Sequence, residues 1–206
     1  MKITKDNVRL LSTTLVAVVG LAIALPAQSM MVYRHIPTSI AAASLINSNA
    51  LTNAEGSDQD VTAYDNFTLN KSAIITSVAW SGASSNKGLV GFTIKIYTSM
   101  DNPAAQPDTA NPLAVIDITG NAGEKSVGNN LSDYHANFYE PLALKAGVQY
   151  WISIVSSRND LSPWGWANGK GGDGKSIQSH AEFKVLPAPS DRAFSLNDGR
   201  AHGRKR

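Results

Sequence analysis

Alternating apolar and polar residues run through the second half of the chain and predict extended strands. In the strand around which we expect the others to be organised, every second residue from Val148 to Ile154 is apolar or aromatic. Residues two apart share one face of an extended chain, so this segment has a side that we expect to be buried. The residues just before it, Lys145 to Gly147, favour a turn. We therefore expect this strand to anchor its neighbours.

Further segments of strand length show the same period, and turn-forming Gly, Asn, Ser and Pro residues separate them. Between them we find no helical period of useful length. Eight such segments span residues 65–69, 74–81, 91–97, 113–118, 135–139, 164–167, 181–186 and 193–196. Strands at this spacing without crossover helices predict an all-β fold, a two-sheet antiparallel sandwich of the jelly-roll type.

The N-terminal segment has the layout of a secretory signal peptide. Three basic residues precede an apolar run from Leu10 to Leu25, and small residues follow up to Ser29. Ala27 and Ser29 suit the positions that signal peptidase reads, which predicts cleavage before Met30. An uncleaved membrane anchor is the alternative, because the apolar run nearly spans a bilayer. The expected location is secreted or periplasmic, with membrane contact only through an uncleaved signal peptide.

Four parts of the chain differ in composition. After the signal peptide at residues 1–29, residues 30–60 are short of periodicity and are interpreted mostly as a lead-in. Within this lead-in, residues 33–36 favour an edge strand and residues 40–46 favour a helical turn or two. The β-sandwich domain is expected at residues 61–198, followed by a basic tail at 199–206 that is typical of a solvated chain end.

Charge and cysteine content narrow the possible functions. The chain of 206 residues has no cysteine, so an exported domain must be held together by core burial without disulfides. The formal net charge is +2, but the signal peptide carries three basic residues and one acidic residue, so the remainder is neutral. Without clustered basic residues on one face, nucleic-acid binding is not expected.

One segment matches the phosphate-binding pattern GxxxxGKS, from Gly169 to Ser176. Such a loop binds phosphate because it leads into a helix whose first amides point at the anion. Here the following residues reach Pro187 and Pro189 without a helical period, and a candidate magnesium-holding strand at 113–117 precedes the loop. The sequence therefore favours a flexible glycine loop and no nucleotide partner.

No group of residues stands out as a metal or catalytic site. The histidines lie far apart in sequence, and Asp58, Asp60 and Asp65 lack the glycine and final glutamate of an EF-hand, which favours a solvated acidic segment. No serine lies in a GxSxG context, and no carboxylate pair is distinguished as acid and base. We predict no metal, no cofactor and no enzymatic activity.

Two tryptophans carry the main binding signal. Trp164 and Trp166 lie two apart, with Arg158, Asp160 and Asn168 nearby. Two indoles on one strand face can stack on sugar rings while the polar neighbours bond hydroxyl groups. The alternative is that one or both rings close the end of the core. We name these five residues as candidates for ligand binding.

The order of the segments resembles β-sandwich domains found in exported bacterial proteins. The matching motifs are DNFTL at 65–69, FTIKIY at 92–97, AGVQYWISI at 146–154 and WGW at 164–166. Such domains occur with cell-surface anchors or beside polysaccharide-acting enzymes, and most have no assigned activity. The resemblance implies a sandwich fold and an extracellular setting.

The first functional hypothesis is an exported, non-catalytic interaction module at the surface or outside the cell, with a glycan or another cell-surface component as partner. Carbohydrate is the leading ligand class because of the paired indoles. One alternative is a structural or matrix protein that associates through strand edges and binds no small molecule. Another alternative is an accessory domain of a polysaccharide-acting system.

Overall fold

The computed structural model describes residues 29–38, 45–52, 60–84, 88–100, 106–180 and 185–199. Within these ranges the chain is all β, and no residue lies in a helix. A helix long and apolar enough to cross a membrane is therefore not found in the described part of the chain. Nearly all of the predicted signal peptide, the basic tail from residue 200 and residues 40–44 of the predicted helical turn lie outside these ranges.

The described residues form fifteen strands. In chain order they are β1 (Met30–Pro37), β2 (Leu45–Asn47), β3 (Asn49–Leu51), β4 (Val61–Thr68), β5 (Ala73–Ala83), β6 (Leu89–Thr98), β7 (Ala114–Thr119), β8 (Lys125–Gly128), β9 (Leu131–Leu144), β10 (Gln149–Arg158), β11 (Gly165–Lys170), β12 (Lys175–His180), β13 (Val185–Pro189), β14 (Asp191–Arg192) and β15 (Phe194–Asp198).

These strands form two sheets, as the sequence predicted. The first runs in the order β14-β11-β1-β15-β5-β9-β8, with β2 beside β11, and the second runs β13-β12-β4-β3-β10-β6-β7. Strand β11 also pairs with β5, so β1, β15, β5 and β11 form a closed circuit of hydrogen-bonded strands. All strand pairs are antiparallel except β3 with β10.

The main core lies between the sheets. Ile94 and Ile96 of β6 and Ile152 and Ile154 of β10 are fully buried there, on the faces that the alternation predicted. Burying a side chain of this size stabilises the fold by roughly 1.5 to 3 kcal/mol. The central pair β6 and β10 thus anchors the second sheet, and the first sheet covers it.

A second, smaller apolar cluster consists of Tyr64, Tyr97, Trp151 and the half-buried Ile177. Trp151 alternates along β10 with core residues, so this cluster lies on the outer face of the second sheet. The indole nitrogen of Trp151 donates a hydrogen bond to Ser99 Oγ at 2.9 Å. The outer face of this sheet is therefore partly covered by its own aromatic residues.

The expected lead-in differs most from the structure. Strand β1 is not an edge strand, because it lies between β11 and β15. Leu45 and Ile46, predicted as part of a helical turn, lie in strand β2. Tyr33 and His35 lie on the inward side of β1, whereas Met31 and Ile36 are exposed on its outward side. The buried face of this strand is therefore not its apolar face, and periodicity does not reveal it.

A large bulge interrupts strand β9. Ile75 of β5 pairs with Leu142, whereas Ser77 pairs with Asn137, so one residue of β5 faces four residues of β9. The bulged stretch runs from residue 138 to residue 141 and contains Pro141, which has no backbone N–H to donate to a ladder. The predicted strand at 135–139 therefore continues beyond the proline, but with a break in register.

Candidate functional site

Trp164 and Trp166 are buried, with exposed fractions of 1% and 0%. Their indole nitrogens donate hydrogen bonds to the carbonyl oxygens of Ala83 and Ala193, each at 2.9 Å. An added Cβ at Gly82 would lie 2.2 Å from the Trp164 ring, so glycine is what lets this ring pack against β5. The rings have no open face for stacking, and their position matches the alternative in which they close the core.

The other three predicted ligand-binding residues are divided between two places. Arg158 is buried, and its Nη2 and Nε donate to Asp160 Oδ1 at 2.8 and 3.2 Å. The hydrogen bond from Arg158 holds the pKa of the Asp160 carboxyl below its usual range, and Ser162 N also donates to this carboxyl. Both residues thus tie down the turn after β10. Asn168 is half-buried in the pairing of β11 with β14.

The GxxxxGKS segment forms the turn between β11 and β12, so a strand follows it where a phosphate-binding loop would have a helix. Two of its amides, Gly172 N and Gly174 N, donate to Oδ2 and Oδ1 of Asp191 at 2.8 and 2.7 Å. The anion held by this loop is therefore a carboxylate of the same chain. The absence of a nucleotide partner stays a prediction.

A buried polar chain, not foreseen from the sequence, crosses the core. The Tyr33 hydroxyl lies 2.6 Å from His35 Nε2, and His35 Nδ1 lies 2.9 Å from Asp65 Oδ2. His35 belongs to the first sheet and Asp65 to the second, where the alternation of β4 turns Asp65 inward beside Phe67. Both side chains are fully buried, so this pair joins the two sheets through the interior.

Burial dominates the electrostatics of this cluster. It raises the pKa of Asp65 to about 6, against the opposing hydrogen bonds from His35 and from Arg192 N. It lowers the pKa of the Arg192 guanidinium to about 10, and the negative charges of Asp65 and Asp191 partly offset that shift. Burial likewise raises the pKa of Tyr33 far above its usual range, so this phenol keeps its proton.

His35, Asp65 and Asp191 each offer a ligand atom, and these atoms lie within 4.8 Å of one another. The carboxylates are already engaged: Asp65 Oδ2 accepts from Arg192 N at 2.6 Å and Asp191 accepts the two loop amides. The positive charge of Arg192 in the same cluster opposes a second cation. We interpret the group as a satisfied structural network. Sequence reasoning missed it because residues 35, 65 and 191 are far apart in the chain. The prediction of a solvated acidic segment is wrong for Asp65, which is fully buried, and Asp58 lies outside the described residues.

The outer face of the first sheet carries a row of exposed side chains on β9. Asp133, His135 and Asn137 alternate with buried residues, and beyond them the bulge places Tyr139 with 91% of its surface exposed. Beside the row is a hollow of about 230 Å³, whose polar lining includes Arg34 along with Asp133. We call this surface the β9 row. It combines an exposed aromatic ring with hydrogen-bonding groups.

A second open surface lies at the flank where both sheets end. Strand β7 and the later part of β9 face each other there across a hollow of about 400 Å³, lined by Leu113, Val115, Tyr139 and Leu142 among others. Leu113 and Val115 are 43% and 51% exposed. No described strand pairs with the outer edge of β7, which is the last strand of its sheet.

Comparisons with protein-family models and with curated proteins give no match to this chain.

Proposed function

We propose that this protein is an exported, non-catalytic β-sandwich module that binds carbohydrate through the β9 row. The observation that carries the proposal is Tyr139, whose ring is 91% exposed because the bulge separates it from the ladder. Bulges commonly re-aim a side chain at a binding surface. An exposed tyrosine ring offers an apolar face for the C–H side of a sugar and a hydroxyl that can bond another sugar oxygen.

The polar side of the surface supports the same ligand class. Asp133, His135 and Asn137 recur at every second residue, so neighbouring groups along the row are about 7 Å apart. Together they offer both donors and acceptors for the hydroxyl groups of a saccharide chain. In the register of the sheet, Arg34, Ser195, Ala79 and His135 follow one another across four strands. The small residues in the middle leave room for a ligand between the larger ends.

Export is part of the proposal. A cut before Met30 would leave every described strand intact, because β1 begins at Met30. The mass of the secreted protein tests this directly: we expect a mature chain that starts at Met30, in the periplasm or the medium. A protein that keeps residues 1–29 would contradict it.

We also propose the jelly-roll type for the sandwich. In support, the late strands β10 and β15 lie between earlier strands, β10 beside β6 near β4 and β15 between β1 and β5. Insertion of late strands between early ones is how long Greek-key connections return to a sheet.

A glycan array tests the ligand class. The probes are the wild-type protein, Tyr139→Ala, Asn137→Ala and a matched control, Leu161→Ala, which removes an apolar side chain that is 68% exposed elsewhere. We expect the wild type and the control to retain the same glycans, and the Tyr139 and Asn137 variants to lose at least tenfold in affinity. Absence of any bound glycan on the wild type, or unchanged binding by Tyr139→Ala, would contradict the proposal.

A further inference from the structure

Strand β7 is an unprotected sheet edge. Soluble proteins guard such edges with proline, lysine, bulges or very short strands. The other strands that end the two sheet orders follow this rule: β13 contains Pro187 and Pro189, β8 contains Lys125 and a register shift, and β14 has two residues. Strand β7 is six residues long, pairs with β6 without irregularity and has Asp117 as its single charged residue.

The direction of the backbone groups on β7 follows from its register. Gly120 N donates to Val90 O at 2.8 Å, which continues the pairing in which Ile118 faces Phe92. In an antiparallel ladder alternate residues point both backbone groups at the partner strand. The even-numbered residues of β7 therefore bond β6, and Val115, Asp117 and Thr119 point their N–H and C=O groups outward. Within the described residues these outward groups have no strand partner.

We infer that a second copy of this chain pairs with β7, antiparallel and centred on Ile116. This register places Val115 opposite Asp117 of the second copy, and the two-fold axis repeats the pair. Both residues have outward backbone groups, so each pair exchanges two hydrogen bonds. The neighbouring register, centred on Asp117, would set two carboxylates directly opposite each other, which is unfavourable. The register centred on Ile116 thus sets no two like charges opposite each other.

The charged and apolar side chains around β7 both suit pairing with a second copy of the chain. Lys95 faces Val115 across β6 and β7, so Lys95, Val115 and Asp117 of the second copy would form one cross-strand row. Lys95 has no ion-pair partner among the described residues. The second copy would also lie beside Leu113 and Val115, which are 43% and 51% exposed. The inference goes beyond the carbohydrate proposal, because it uses the edge of the second sheet.

Sedimentation velocity over a concentration series tests the inference with the purified protein. Val115→Asp places a carboxylate opposite Asp117 in both symmetric pairs, so the dimer should weaken tenfold or more. Val115→Lys places an ammonium opposite the same carboxylate, which offsets its proximity to Lys95 on β6, so the dimer should persist. The matched control is Val127→Asp on edge strand β8, where the side chain is similarly exposed (49% against 51%). It should dimerise like the wild type, and far-ultraviolet spectra report whether each variant folds.

Each result decides the matter. A wild type that is monomeric at every concentration, or a folded Val115→Asp that dimerises as well as the wild type, overturns the inference. Equal loss of the dimer in Val127→Asp would show that the effect does not come from β7. Loss of the dimer in both Val115 variants would contradict the register centred on Ile116. None of these results depends on glycan binding, so the two proposals fail separately.

Discussion

His35 and Asp65 join the two sheets through the middle of the molecule, with Nδ1 and Oδ2 2.9 Å apart and both side chains fully buried. Removal of one member of such a pair leaves a buried group without its partner, which usually costs several kcal/mol. The pair therefore fixes the position of β1 against β4 and makes the stability of the fold sensitive to protonation.

The stability should increase on mild acidification. The pKa of Asp65 is raised from 3.8 to about 6 in the folded state, so folding favours the protonated form. This contribution to the free energy of unfolding is complete below pH 3.8 and is lost as the pH rises through 6. Between those values the slope is at most about 1.4 kcal/mol per pH unit. The charged or titratable groups near this carboxyl include Tyr33, His35, Asp191 and Arg192.

Urea unfolding at a series of pH values measures this slope. Asp65→Asn should flatten the dependence between pH 4 and pH 6, whereas Glu140→Gln, which removes an exposed carboxyl on β9, should leave it unchanged. An identical pH dependence in wild type and Asp65→Asn would show that the interior pair does not titrate with folding. A carbon-13 titration of the Asp65 carboxyl gives an independent reading.

Loss of a buried indole should destabilise the fold strongly. Trp166 has no exposed surface and donates to Ala193 O, so Trp166→Ala removes both a large ring and a hydrogen bond. We expect the free energy of unfolding to fall by about 3 to 5 kcal/mol. Leu161→Ala, at an exposed position, should change it by less than about 0.5 kcal/mol. A folded and equally stable Trp166→Ala would show that the ring is not part of the core.

The aspartate that caps the glycine loop should control loop opening. Asp191→Ala removes the acceptor of Gly172 N and Gly174 N, and each hydrogen bond lost costs about 0.5 to 1.5 kcal/mol. Hydrogen exchange at these two amides should accelerate. The control, Asp173→Ala in the same loop, removes exposed hydrogen bonds to Asn66 and Lys175 and should leave both amides protected. Unchanged exchange in Asp191→Ala would contradict the capping role.

The close approach of Trp164 to β5 should exclude any side chain at Gly82. The Cβ of Gly82→Ala would lie 2.2 Å from the ring and 2.7 Å from Gly165 O. Relief of this overlap requires movement of the core, which costs about 1 to 3 kcal/mol. Ala79→Ser, which also adds one heavy atom on β5 but towards the outer hollow, is the matched control and should be tolerated. Equal stability of the two variants would contradict the overlap.

The strands that the sequence predicted well are those with one apolar and one polar face. Strand β6 is such a case: Phe92, Ile94 and Ile96 are buried as the period indicates, and Thr93 and Lys95 on the other face are half-buried. Strand β1 was not recognised as an internal strand, because its inward residues include His35 and its outward residues include apolar Ile36. Periodicity reports a contrast in polarity, and a buried histidine paired with a distant aspartate removes that contrast.

The candidate sites could be predicted less well for a similar reason. The residues around Trp164 and Trp166 are compatible both with an exposed binding surface and with a buried core. Local sequence does not distinguish these two environments, because the room for the Trp164 ring is provided by Gly82 on another strand. The sequence predicts Tyr139 at the end of a strand near Pro141, whereas its exposure depends on the register between β5 and β9. Such long-range pairing is a property of the fold that no short window contains.

Strand β1, the first of the described strands, pairs with β15, the last of them, and with β11. The first sheet can therefore not be completed until almost the whole chain is available, since contacts this distant in sequence form late. Under the export proposed above, a half-translocated chain would lack the late strands that pair with β1 and complete this sheet.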